Sequence, residues 1–319
     1  MSPLPDKPLQ RRVYDVAVIG PDVGGAAAAA LLAKRGLRVL LAPMTTPAVA
    51  RESDGWLLPA AHPMIPPLRL WGGAAQLADL LRARAETAGA HLTTESCSQL
   101  RLTRKAATFE LAGAEVQVNL VVLACPPATI QQLCEGGGRA ERSVAEEAQL
   151  TVARKEVLAH FVVRPEGLPQ ALEEAALLLG SPLGPLVISA VPARRARGEV
   201  SGERLLTVGR VVDADFADGP ALLSAVREAL EPVLPFFERH VVHESAELDP
   251  IHGQRILKPH EGLHSEPIGL RPTSAAHERV LFASREVYPG FGLEGSILAA
   301  RACATQALET SGRKQVSAT

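Results

Sequence analysis

The chain has 319 residues, 47% of them apolar, enough to bury a large core and to build two domains. Its formal net charge of −2 gives no electrostatic case for a nucleic acid or an anionic membrane as partner. Aromatic residues make up only 3%, which argues against a pocket walled by stacked rings. The opening MSPLPDKPLQRR lacks the apolar core of a signal peptide, and no apolar run reaches transmembrane length. Cys97, Cys125, Cys134 and Cys303 are scattered without CxxC spacing. They read as reduced core residues of a cytoplasmic protein, and no metal site is expected.

Residues 1–12 read as a loose, proline-rich lead-in. The apolar run Val16 to Ile19 has the pattern of a strand buried on both faces. Gly20 to Gly25 predict a tight turn, Ala26 to Lys34 a helix ended by Gly36, and Val39 to Leu41 a second buried strand. Strand, glycine turn, helix and strand within about 30 residues form the dinucleotide-binding βαβ unit. That motif wants glycine at three places: to turn, to let a diphosphate approach the backbone, and to pack the helix on the strand. Gly20 and Gly25 fill the first and third, but Asp22 stands at the second. A carboxylate there opposes the phosphates and offsets the helix N-terminus that attracts them. At about 4 Å and an effective dielectric near 20, one like-charge pair costs roughly 4 kcal/mol. The acid that would hold a ribose is expected about 20 residues past the turn, where Pro43 stands.

Met44 to Leu70 is rich in proline and turn residues, and Ala74 to Ala88 reads as a helix. Leu100 to Leu111 and Glu115 to Val118 alternate like a β-meander turning at Gly113, and Leu120 to Ala124 reads as a separate buried strand. Residues 130–155 predict helices crossing into a second domain. There Val157 to Val163, Pro185 to Val191, Leu205 to Val212 and His240 to Leu248 predict strands, with a helix at Pro220 to Leu230. The chain then returns to the first domain and closes with a helix, Ser296 to Leu308, and a tail, 311–319.

Four blocks occur in one order along nearly the whole chain: the opening unit, Asp54-Gly55-Trp56 followed by GGAAQLADLL, then VVLACPP, then RVLFASREVYPGFGLEGSILAARACA. Together they resemble the FAD-dependent amine oxidase and phytoene desaturase superfamily. The resemblance implies an α/β fold: a discontinuous Rossmann-type FAD/NAD(P)-binding domain over 13–128 and 264–310, and an α+β substrate-like domain over 129–263. It also implies that a cofactor groove would involve Gly20, Asp22, Gly24 and Gly25, with Arg51, Arg285, Gly290 and Gly292. The family's Gly-Asp pair before the last glycine turn falls on Ser284 and Arg285, and its Gly-Gly-Arg falls on Val49-Ala50-Arg51. A long helical segment that roofs the family's cavity is replaced by the short connection Trp56 to Trp71.

Departures at nearly every cofactor contact, with the backbone glycines kept, lead to an expectation of no cofactor and no catalytic residue. Asp22 and Arg285 are expected to pair with each other instead. The expected role is a non-catalytic binding or scaffold protein for a protein partner or an apolar small molecule, with no nucleic acid and no integral membrane segment. Two alternatives stay open. One is an active FAD oxidoreductase on an amine or isoprenoid-like substrate; the other is a structural subunit beside an active paralogue. His240, His243 and Glu244 hint at a metal, but residues three apart on a strand face opposite sides. His252, His260 and His264 read as loop histidines, and Arg194, Arg195 and Arg197 as a solvated turn. No Ser-His-Asp or Cys-His arrangement is legible.

Overall fold

Strand β1 (Tyr14–Ile19) leads through the glycine turn into helix α1 (Val23–Lys34) and strand β2 (Val39–Ala42), as the apolar pattern predicts. The computed structural model describes residues 14–20, 22–44, 55–57, 68–70, 73–150, 152–169, 172, 176–178, 180–184, 186–194, 200–250, 255–257 and 269–310. The lead-in 1–12, the tail 311–319, Arg51, Asp54, Gly72, the three loop histidines, Arg195 and Arg197 lie outside them. Two short strands, β3 (Gly55–Leu57) and β4 (Leu68–Leu70), pair antiparallel. Helix α2 (Gly73–Thr87) follows, then β5 (His91–Leu92), β6 (Cys97–Leu102), β7 (Ala107–Leu111) and β8 (Ala114–Leu123).

The sequence splits β8 in two, and the structure joins the halves. Val116 to Val118 alternate because that half pairs antiparallel with β7, whereas Leu120 to Leu123 run alongside β1 in parallel and are buried throughout. One ten-residue strand therefore belongs to both patterns.

Helices α3 (Pro127–Cys134) and α4 (Arg139–Glu147) follow, both within the first of two units: residues 1–151 with 257–319. The sequence places the boundary near residue 128, and the structure moves it to Thr151/Val152. Ile130, Leu133, Cys134 and Val144 bury into the same core as Phe109 and Leu123, which holds the helices there. Glu141 of α4 is buried and accepts the Leu102 backbone N–H at 2.5 Å. A second carboxylate, Glu147, accepts the Ala275 N–H at 2.8 Å.

The second unit, Val152–Ile256, carries β9 (Val152–Val163), β10 (Ala176–Leu178), β11 (Leu186–Arg194), β12 (Val200–Asp213), helix α5 (Gly219–Leu230), β13 (Val241–Glu247) and all but the last residue of β14 (Arg255–Leu257). Its sheet runs β10-β11-β12-β9-β13, with β14 also on β9. Asp218 caps α5 by accepting the Ala221 N–H at 2.9 Å, with Pro220 in the first turn, where no N–H is needed. Leu222, Val226 and Leu230 of α5 pack with Val157, Ala159, Phe161 and Val163, every second residue of β9. Phe161 meets Phe237 edge to face, ring centroids 5.1 Å apart.

The chain returns with β15 (Val280–Phe282) and helix α6 (Gly292–Thr310). The first unit's sheet has order β5-β2-β1-β8-β7-β6, with β15 laid parallel against β8. Strands β5, β2, β1, the second half of β8, and β15 make the parallel Rossmann-type part. Helix α1 is alanine-rich because it is packed on several sides, against the sheet, α2 and α6; Ala28 and Leu32 share a buried cluster with Ala300 and Ala304. No helix among the described residues is long and apolar enough to cross a membrane.

Truncating the second unit's central ring should be severe. Phe161→Ala is expected to cost about 3–5 kcal/mol, read from urea unfolding of the purified protein.

Candidate functional site

Where β1 ends, Gly20 takes φ +118°, and a Cβ there would lie 2.3 Å from the Ala124 carbonyl oxygen. Only glycine makes this turn without a clash. One turn into α1, a Cβ on Gly25 would lie 1.8 Å from the Gly20 carbonyl oxygen, and one on Gly24 would lie 2.2 Å from that of Ala283. Gly24, read from the sequence as part of the cofactor groove, thus serves packing by bringing α1 against the end of β15. Gly292 opens α6 with φ +53°, and Gly290 sits in the 3-10 turn just before it. Gly20 and Gly25 therefore close on Ala124 at the end of β8 and Gly24 on Ala283 at the end of β15, while Gly290 and Gly292 mark the start of α6. Arg51 lies outside the described residues.

Asp22 is the N-cap of α1, with φ −65° and ψ 178°. Its carbonyl accepts the Ala26 N–H at 2.8 Å, but its carboxylate makes no capping hydrogen bond. The side chain reaches solvent, yet the protein packed around it strips much of its hydration. That burial raises its carboxyl above the ordinary aspartate range, with Arg82 and then Arg285 pulling the other way.

The expected Asp22–Arg285 pair does not form. Among the described residues no direct ion pair joins the two; Arg285 Nε instead lies 3.3 Å from Oε1 of the buried Glu286. Arg82, on α2, exerts the larger pull on Asp22, and it also pairs with Asp79. Sequence reading missed Arg82, whose only signal is a half-buried basic residue on an otherwise ordinary helix. It also missed Glu286, which burial and an arginine neighbour mark out only in three dimensions.

Cys125, after β8, belongs to the same neighbourhood. Burial pushes its thiol far above the usual range, and Glu286 and Asp22 add to the effect. It is therefore a core residue, not a nucleophile. Ser284 Oγ is buried and has no hydrogen-bond partner among the described residues. At the end of β2, Pro43 offers no acid, and its carbonyl is taken by the Cys97 N–H at 3.0 Å.

The other candidates resolve simply. His240 ends a 3-10 turn, His243 lies on β13, and Glu244 pairs with Arg227 of α5. No group of three or more His, Cys, Asp or Glu among the described residues could hold a metal. Arg194 ends β11.

No protein-family model matches the chain, and no curated protein matches it. Solved structures do. A p-nitrophenol 4-monooxygenase, PnpA, from Pseudomonas putida DLL-E4 matches with TM-score 0.58 at 13% identity, over 95% of this chain and 82% of that one. The flavin-dependent brominase Bmp2 gives TM-score 0.55 at 13% identity, over 95% and 81%. A glycine oxidase from Geobacillus kaustophilus gives 0.51 at 17% identity, over 95% and 96%. At such identities the likeness is one of fold, and that fold is the FAD-binding, Rossmann-like fold of flavin-dependent oxidoreductases.

The raised carboxyl of Asp22 has a stability consequence. Folding penalises its ionised form, so the penalty is in force above the raised folded-state value. It fades as pH falls towards the ordinary value near about 4. Asp22→Asn should therefore raise Tm at pH 7, and the gain should shrink steadily as melts are taken down to pH 4.5.

Proposed function

We propose that this chain is a non-catalytic member of the flavin-oxidoreductase fold, acting as a binding or scaffold protein for a protein partner or an apolar small molecule. The observation that carries this reading is the Asp22 carboxylate at the α1 N-terminus, where the fold would receive a dinucleotide diphosphate. A phosphate charge about 4 Å away costs roughly 4 kcal/mol at an effective dielectric near 20, or about three decades of affinity. Pro43 adds no grip on a ribose. Arg82 and Arg285 are the counterweight, but each has an acidic partner, Asp79 and Glu286. These residues do not suit a flavin dinucleotide.

Within the fold, the order of the four sequence blocks supports a place beside the amine oxidases and phytoene desaturases. Four buried free thiols accord with a cytoplasmic setting. A second reading, an active FAD oxidoreductase on an amine or isoprenoid-like substrate, draws support from Ser284. A buried hydroxyl without a partner is what an outside ligand would satisfy.

Purified protein should show no flavin absorbance band near about 450 nm, and added FAD should stay free in gel filtration. Asp22→Gly, which supplies the missing glycine, should tighten FAD binding by roughly three decades in a fluorescence titration. A wild-type protein that emerges yellow would overturn the non-catalytic reading.

A further inference from the structure

The alternation that turns Val157, Ala159 and Phe161 of β9 towards α5 turns Leu158, His160 and Val162 to the other face. Register then sets a row across that face: Ser189 of β11 opposite Thr207 of β12, Thr207 opposite His160, and His160 opposite Ser245 of β13. Solvent reaches this face, where Val187, opposite Gly209, is 41% exposed. Within the row, His160 Nδ1 lies 3.0 Å from Thr207 Oγ1, and its Nε2 lies 3.4 Å from Glu247 Oε2. A carboxylate only accepts, so Nε2 carries the ring proton and Nδ1 is left to accept from the Thr207 hydroxyl. Hydroxyl, imidazole and carboxylate thus stand in series, each within reach of the next, as nucleophile, base and orienting acid must.

We infer that Thr207 is an activated hydroxyl that takes an acyl group from an activated ester, with His160 as its base and Glu247 as the residue positioning that base. Oγ1 bonds to the acyl carbon while its proton passes to His160 Nδ1. The bond from that carbon to the leaving alkoxide breaks, and the imidazolium returns the proton to the alkoxide. The products are a threonyl ester and a free alcohol, with a neutral imidazole restored and no change in oxidation state.

The full-length protein incubated with p-nitrophenyl acetate should release a burst of nitrophenolate and carry one acetyl group on the peptide holding Thr207. Thr207→Val should remove that adduct. His160→Gln should slow acylation by about 10²–10⁴-fold, with melting temperature and circular dichroism recorded alongside. Glu247→Gln should slow it by a smaller factor, and it decides the matter where His160→Gln does not fold. Acetylation confined to lysines, or a Thr207 rate unchanged in a folded His160→Gln or in Glu247→Gln, would overturn the inference and leave the row as a cross-strand hydrogen-bond network.

Discussion

At the start of α1, backbone meets backbone. The Gly20 turn leaves no room for a Cβ against Ala124, and Gly24 and Gly25 press the helix onto Ala283 and Gly20. This approach sets where α1 lies between the sheet and α6, and so where its N-terminus, and Asp22 with it, must stand. A side chain at any of these glycines would push the helix off the sheet, separating Ala28 and Leu32 from Ala300 and Ala304. The fold depends on the glycines; what happens at the helix N-terminus depends on the residue between them.

That separation lets the backbone contacts of the fold stand whatever charge the residue at the helix N-terminus carries. Steric requirements act on Gly20, Gly24 and Gly25, which have no alternative. Electrostatic requirements act on Asp22 and Arg285, whose charges are carried by side chains. Asp22 keeps the extended N-cap geometry and gives up only its capping hydrogen bond. The charges around it are arranged locally: Arg82 and Arg285 pull on Asp22 while keeping acids of their own.

The opening βαβ unit was legible because its signals are local: an apolar run of strand length, glycines at fixed offsets, and an alanine-rich helix. The second unit's strands were legible from alternation, although β9 and β12 extend further than their apolar cores suggest. What could not be read were relations set by register or by tertiary approach. β8 looked like two strands because its partner changes partway along, from β7 on one edge to β1 on the other. Arg82 and Glu286 join the Asp22 neighbourhood through helix placement and burial. Thr207 and Glu247 are unremarkable in sequence, 47 and 87 positions from His160, and the three meet only once two strand pairs lock into register.

β8 also carries a demand on the order in which the protein is made. Along one edge, β7 occupies the first half of the strand, and β15, from Val280 onward, occupies the rest. While a ribosome is still translating Val152–Ile256, the amide of Val121 has no Arg279 carbonyl to bond, and the carbonyl of Leu123 has no Ala283 amide. The nascent Rossmann half therefore waits with part of its central strand uncapped, a sticky edge that invites pairing with a neighbouring chain. That edge of β8 cannot be covered until Val280 to Phe282 have been made, whatever the second unit has done by then.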